Sequence, residues 1–162
     1  MNNLPKNKTQ IKNVKNFEEL TSTQFQGDIN ALCWERTLNG DFSEIVNKIS
    51  LKENITELSI EQLLTLQLNE LGQIAREILI NDLKLLKKHG AFPTLNIIKN
   101  YDRDDSFPFF PTDVYSFHVD RSPIPTDTFL CTYHGAASEI IPNSEATQKI
   151  LMPKIREELK KT

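Results

Sequence analysis

The stretch from Ser59 to His89 constrains the fold most. Leu64, Leu68, Leu71, Ala75, Ile78 and Leu79 recur there at helical spacing, and only a helix gathers such positions on one face. Ser59 with Gln62 three residues on has the form of a capping box. Gly90 is a natural C-cap, and Lys87, Lys88 and His89 suit the negative end of the helix dipole. His89 therefore reads as a capping residue rather than a metal ligand. Gly72 is the point at which this helix can kink or split.

After Gly90 the apolar period changes from 3.6 to 2. Residues 94–99 read as a strand, and strand-like runs follow at 113–120, 127–134 and 138–141, the 113–120 and 127–134 strands paired antiparallel. Pro123 and Pro125 break the first connection. Phe107-Pro108-Phe109-Phe110-Pro111 carries too many prolines for a central strand and suits a sheet edge or a pocket mouth. Earlier in the chain, 29–36 reads as a strand around Trp34, the single tryptophan, and Asp41 caps a short helix to about Ile49. Asn143-Ser144 caps a last helical stretch that Pro153 kinks or splits. Helical elements first and a small antiparallel sheet after them make the fold class α+β.

At 162 residues the chain has the size of one cored domain. Residues 1 to about 15, rich in Asn and Lys, read as a disordered tail, with a single domain over 16–162. The net charge of −3 argues against a nucleic-acid surface, and the terminal lysines read as solvated. The polar N-terminus has no signal-peptide run, and no segment approaches the ~20 apolar residues of a membrane span. A soluble, cytoplasmic protein is expected, with neither nucleic acid nor membrane as partner. Cys33 and Cys131 form no CxxC pair and read as buried, reduced core residues.

The residues with chemistry lie at Ser116-Phe117-His118-Val119-Asp120-Arg121 and at Leu130-Cys131-Thr132-Tyr133-His134-Gly135. On a strand, His118 and Asp120 share a face while Phe117 and Val119 take the other. An imidazole beside a carboxylate supplies two ligands of a 2-His-1-carboxylate iron(II) site. Thr132 and Tyr133, on the next strand, are candidates for the same cavity, and Arg121 is placed to hold an acidic co-substrate. A three-residue pattern is weak alone, and a solvent-facing pair is its ordinary outcome.

Trp34-Glu35-Arg36, the FHVDR segment, the CTYHG segment and Glu139-Ile140-Ile141-Pro142-Asn143 together resemble the bacterial family catalogued as domain of unknown function 1826. The resemblance covers most of the chain from about residue 28. In motif order that family is similar to 2-oxoglutarate oxygenases of the prolyl-hydroxylase kind, which implies a jelly-roll (double-stranded β-helix). Family members continue into further strands with a His-Arg segment, whose His is the natural third ligand. This implies that the chain is a portion of the family domain, truncated at its C-terminal side. His134, at the variable position of the C-T-Y-x-G motif, is then the candidate substitute ligand.

Two functions follow from these readings. One is an iron(II)- and 2-oxoglutarate-dependent oxygenase-like protein, incomplete as a catalyst, acting on a small molecule or peptide. Its metal ligands are His118 and Asp120, with His134 as third candidate, and Arg121, Thr132, Tyr133 and Glu139 line the site. The other is a non-catalytic zinc-binding or protein-interaction module, in which His118, Asp120, His134 and Glu139 hold zinc or nothing. Self-association is expected through the strand edges that such a truncation leaves unpaired. G-x-S-x-G, the P-loop, G-x-G-x-x-G and H-E-x-x-H are all missing. Cys131 and His134, three apart on a strand, point to opposite faces, which disfavours a thiol hydrolase.

Overall fold

Ser59 accepts a hydrogen bond from Gln62 N–H at 3.2 Å, and the Gln62 side chain accepts one from Ser59 N–H at 2.8 Å. This reciprocal cap starts the first of the two helices into which the 59–89 stretch folds in the computed structural model, which describes residues 10–51, 53–103, 113–119 and 122–161. In chain order the elements are β1 (Ile11–Val14), α1 (Phe17–Ser22), β2 (Ala31–Trp34), α2 (Phe42–Lys48), β3 (Ile55–Leu58), α3 (Ile60–Thr65), α4 (Glu70–His89), β4 (Leu95–Ile98) and α5 (Pro153–Leu159). Short 3-10 turns lie at Asn143–Glu145 and Lys149–Leu151. The general α+β class holds. By contacts the chain forms two units, Met1–Thr37 with Glu139–Thr162, and Leu38–Ser138.

In the first unit β1 and β2 pair in parallel, Ile11 opposite Ala31 and Val14 opposite Trp34. The tail reading is corrected for residues 11–14, which form β1. Trp34 stacks obliquely on Phe17 with centroids 6.5 Å apart, and the Arg36 guanidinium lies 4.5 Å above the indole. Asn143 N–H donates to the Gln10 side chain. The last helix begins at Pro153, the position where a missing N–H costs nothing.

The second unit holds the core, built from Phe42 and Ile45 of α2, Leu58 of β3, Leu63 of α3, and Ala75 and Leu79 of α4. The long helical segment splits over 66–69, not at Gly72. Asn69 caps α4 by accepting from Gly72 N–H at 2.9 Å, and its own N–H donates to the Glu44 carboxylate. Arg76 donates to the carbonyls of Leu63 and Leu66 at the end of α3. Side chains thus satisfy both helix ends exposed by the break. Gly90 ends α4 at φ 93°, a left-handed conformation that suits glycine. β3, which the alternation did not reveal, pairs antiparallel with β4, Ile55 opposite Ile98 and Leu58 opposite Leu95.

The strands expected at 113–120, 127–134 and 138–141 are not formed among the described residues, and no jelly-roll is seen. Local hydrogen bonds explain the first. Asp113 Oδ1 accepts from Tyr115 N–H at 3.1 Å, and its carbonyl accepts from Ser116 N–H and from the Ser116 hydroxyl. Such turns compete with ladder pairing. Ser122 does the same at the prolines, donating from Oγ to the Ile124 carbonyl at 2.6 Å. The Phe107–Pro111 run lies outside the described residues.

Candidate functional site

His118 sits in the irregular stretch that follows the Asp113 turn. That turn is anchored to Tyr101: Tyr101 N–H donates to the Tyr115 hydroxyl at 2.9 Å, and the hydroxyl donates to the Tyr101 carbonyl at 3.2 Å. Arg103 lies 3.7 Å above the Tyr115 ring and 3.8 Å from the Asp113 carboxylate. The His118 ring is exposed, and its Nδ1 lies 2.7 Å from the Ser116 carbonyl oxygen. A carbonyl only accepts, so Nδ1 carries the proton and, in the neutral ring, Nε2 holds the lone pair. Metal-bound histidines are commonly oriented in this way, one ring N–H held by a carbonyl and the other nitrogen facing the ion. Asp120 and Arg121 lie outside the described residues.

The CTYHG segment is held elsewhere, against the helical core. Tyr133 is half-buried, packs on Phe42 with centroids 5.4 Å apart, and donates its hydroxyl to Asp82 Oδ2 of α4 at 2.8 Å. Burial first, then the hydrogen bond to the Asp82 carboxylate, pushes the phenol pKa upward, so Tyr133 stays protonated. The exposed Cys131 thiol adds to that shift, and its exposure corrects the expectation of a core cysteine; Cys33 is half-buried, and neither forms a disulfide. His134, also exposed, acts on Asp41, the N-cap of α2. Asp41 is held below the usual carboxylate range by the Ser43 hydroxyl, at 2.5 Å, and by Glu44 N–H, with a smaller pull from His134.

Of the residues singled out from sequence, then, Tyr133 and His134 fall close to acidic groups, Asp82 and Asp41. Thr132 is exposed, and Glu139 is exposed in the other unit. His89 ends α4, as its place before Gly90 implies, and meets Phe129 edge-on at 5.7 Å. Sequence reasoning missed Asp82. Its signal was a lone acid in the row Ala75, Leu79, Asp82, Leu86, whose spacing of three and four follows the core side of α4. A cleft lined by Glu57, Ser59, Glu61, Lys87 and Thr94 contains none of the selected residues.

Among the described residues no three His, Cys, Asp or Glu side chains lie close enough together to hold a metal ion. The His118 tautomer fits a ligand, but the described donors alone do not make a facial triad. No helix among them is long and apolar enough to cross a membrane. No family model, no curated protein and no solved structure matches the chain.

Proposed function

We propose that this chain carries part of a non-haem iron(II)/2-oxoglutarate oxygenase-type centre, with His118 Nε2 and the Asp120 carboxylate as metal ligands. The hydrogen bond from Nδ1 to the Ser116 carbonyl carries this reading, because it orients the ring and puts the lone pair on Nε2. Iron would supply the oxygen chemistry, and Arg121 would meet the acidic co-substrate. The chain has three histidines, and His89 is committed to the end of α4. His134 is the remaining candidate for third ligand. The chain alone is accordingly a poor catalyst that holds its ion loosely. Metal analysis of protein purified without chelators tests this: substoichiometric metal, diminished by His118→Ala and by Asp120→Asn, is expected. Metal content indifferent to both substitutions rules the assignment out.

The second reading is a non-catalytic zinc-binding or protein-interaction module. It is favoured by the exposure of Phe117, Val119, Ile124 and Leu130 in the second unit, apolar side chains with no strand partner among the described residues. Under that reading any bound metal is zinc and iron(II) with 2-oxoglutarate yields no succinate.

A further inference from the structure

The core side of α4 is lined by Gly72, Ala75 and Leu79, which are buried. Beside that row runs a second one. Leu71, Ile74, Ile78, Asn81 and Leu85 follow one another at spacings of three and four, the a and d positions of a heptad. Leu71 is 55% exposed, and Ile74 and Leu85 are each 37% exposed. Ile78 is half-buried and Asn81 exposed. Leaving such a row in water forfeits the burial that an amphipathic helix normally gains.

The charges beside the row identify the occupant. Glu77 and Lys84 are exposed and take the g positions that flank the seam. Neither has an opposite charge three or four residues away: Glu77 has Gln73, Ile74, Ile80 and Asn81 there, and Lys84 has Ile80, Asn81, Lys87 and Lys88. The usual pairing along one helix is closed to both. A second copy laid antiparallel satisfies both at once. Ile74 then meets Leu85 of the second copy, Ile78 meets its Asn81, and Glu77 meets its Lys84, each contact occurring twice by symmetry. A parallel pair would instead set Glu77 beside Asp82 of the second copy, two like charges. Asn81 of each copy faces Ile78 of the other, which costs some stability and leaves the choice of register to the charged pairs.

We propose that the chain forms an antiparallel dimer through this face of α4, with the Glu77–Lys84 pairs selecting orientation and register. Sedimentation velocity over a range of protein concentrations tests it, and a monomer–dimer equilibrium is expected. Ile74→Glu with Leu85→Glu abolishes the dimer. Glu77→Lys alone and Lys84→Glu alone each weaken association about tenfold, because each reversal turns two attractive pairs repulsive. The double variant Glu77→Lys/Lys84→Glu restores it, and both sites are exposed, so folding is not at stake. A wild-type chain that stays monomeric, a dimer that survives Ile74→Glu/Leu85→Glu, or a double reversal without recovery overturns the proposal.

Discussion

Gly40→Ala probes the contact on which the placement of α2 against α4 depends. A Cβ at Gly40 would stand 2.6 Å from Ala75 Cα and 2.7 Å from Ala75 N and Cβ. That is roughly 1 Å inside the ~3.5 Å at which carbon atoms pack best. The obstructing atoms belong to helix backbone at a position fully buried from solvent, so a rotamer change cannot relieve them. The loop before α2 must lift off, and the adjacent hydrogen bond from Asp41 N–H to the Leu71 carbonyl, 3.0 Å long, lengthens with it. Overpacking of this kind costs about 1–3 kcal/mol, and the hydrogen bond adds about 1 kcal/mol. The sum, about 2–4 kcal/mol, is a large share of the ~5–15 kcal/mol that stabilises a domain. Urea unfolding followed by far-UV circular dichroism should show the midpoint lowered by about 1–3 M with the slope unchanged. Adding Ala75→Gly should not restore it, since Cα and N of residue 75 stay in place. A midpoint within about 0.3 M of wild type would refute the packing argument.

Other outcomes follow from the same structure. Ser59→Ala removes the acceptor for Gln62 N–H at the start of α3 and should cost about 1 kcal/mol in chemical denaturation; no change would mean the capping box is idle. Tyr133 has its folded-state pKa raised, chiefly by burial and then by Asp82. Its contribution is therefore complete below about pH 10, the ordinary tyrosine value, and is lost as pH rises beyond it. Amide exchange in 127–138 should accelerate above that pH in wild type, and Tyr133→Phe should exchange faster already at neutral pH; equal protection in both argues against the anchor. Asp41, Glu44 and Glu61 have folded-state values lowered, first by Ser43, Lys48 and the Glu61 backbone N–H respectively. Their contribution is present above the ordinary carboxylate pKa of about 4 and disappears as pH falls through the lowered values. Helical signal should decline on acidification from about pH 4, and Asp41→Asn should flatten that decline.

What could be read from the chain was what neighbouring residues decide between themselves. Ser59 with Gln62, Asp41 before Phe42, and Gly90 after His89 each complete a cap within a few residues, and each stands in the structure. Gly72 is the break point that the sequence suggests, but the helix breaks at 66–69, where Glu44, 25 residues away, holds Asn69. Alternation suggested strands at 113–120 and 127–134, yet alternation does not supply a partner edge, and the Asp113 and Ser122 turns draw the backbone into local bonds. The candidate site shows the same division. The ring orientation of His118 comes from a carbonyl two residues before it, whereas the capture of Tyr133 by Asp82 spans 51 residues and left no trace in the motif.

The central claim is that His118 Nε2 binds a divalent ion together with Asp120, and paramagnetic NMR reads it residue by residue. Manganese(II) is titrated into isotopically labelled protein while the histidine ring and backbone signals are followed. The His118 ring is expected to broaden first, ahead of His89, with the backbone signals of 118–121 close behind, and Asp120→Asn to weaken the effect. Broadening that begins at another acidic cluster, or that leaves the His118 ring untouched while others vanish, would contradict it.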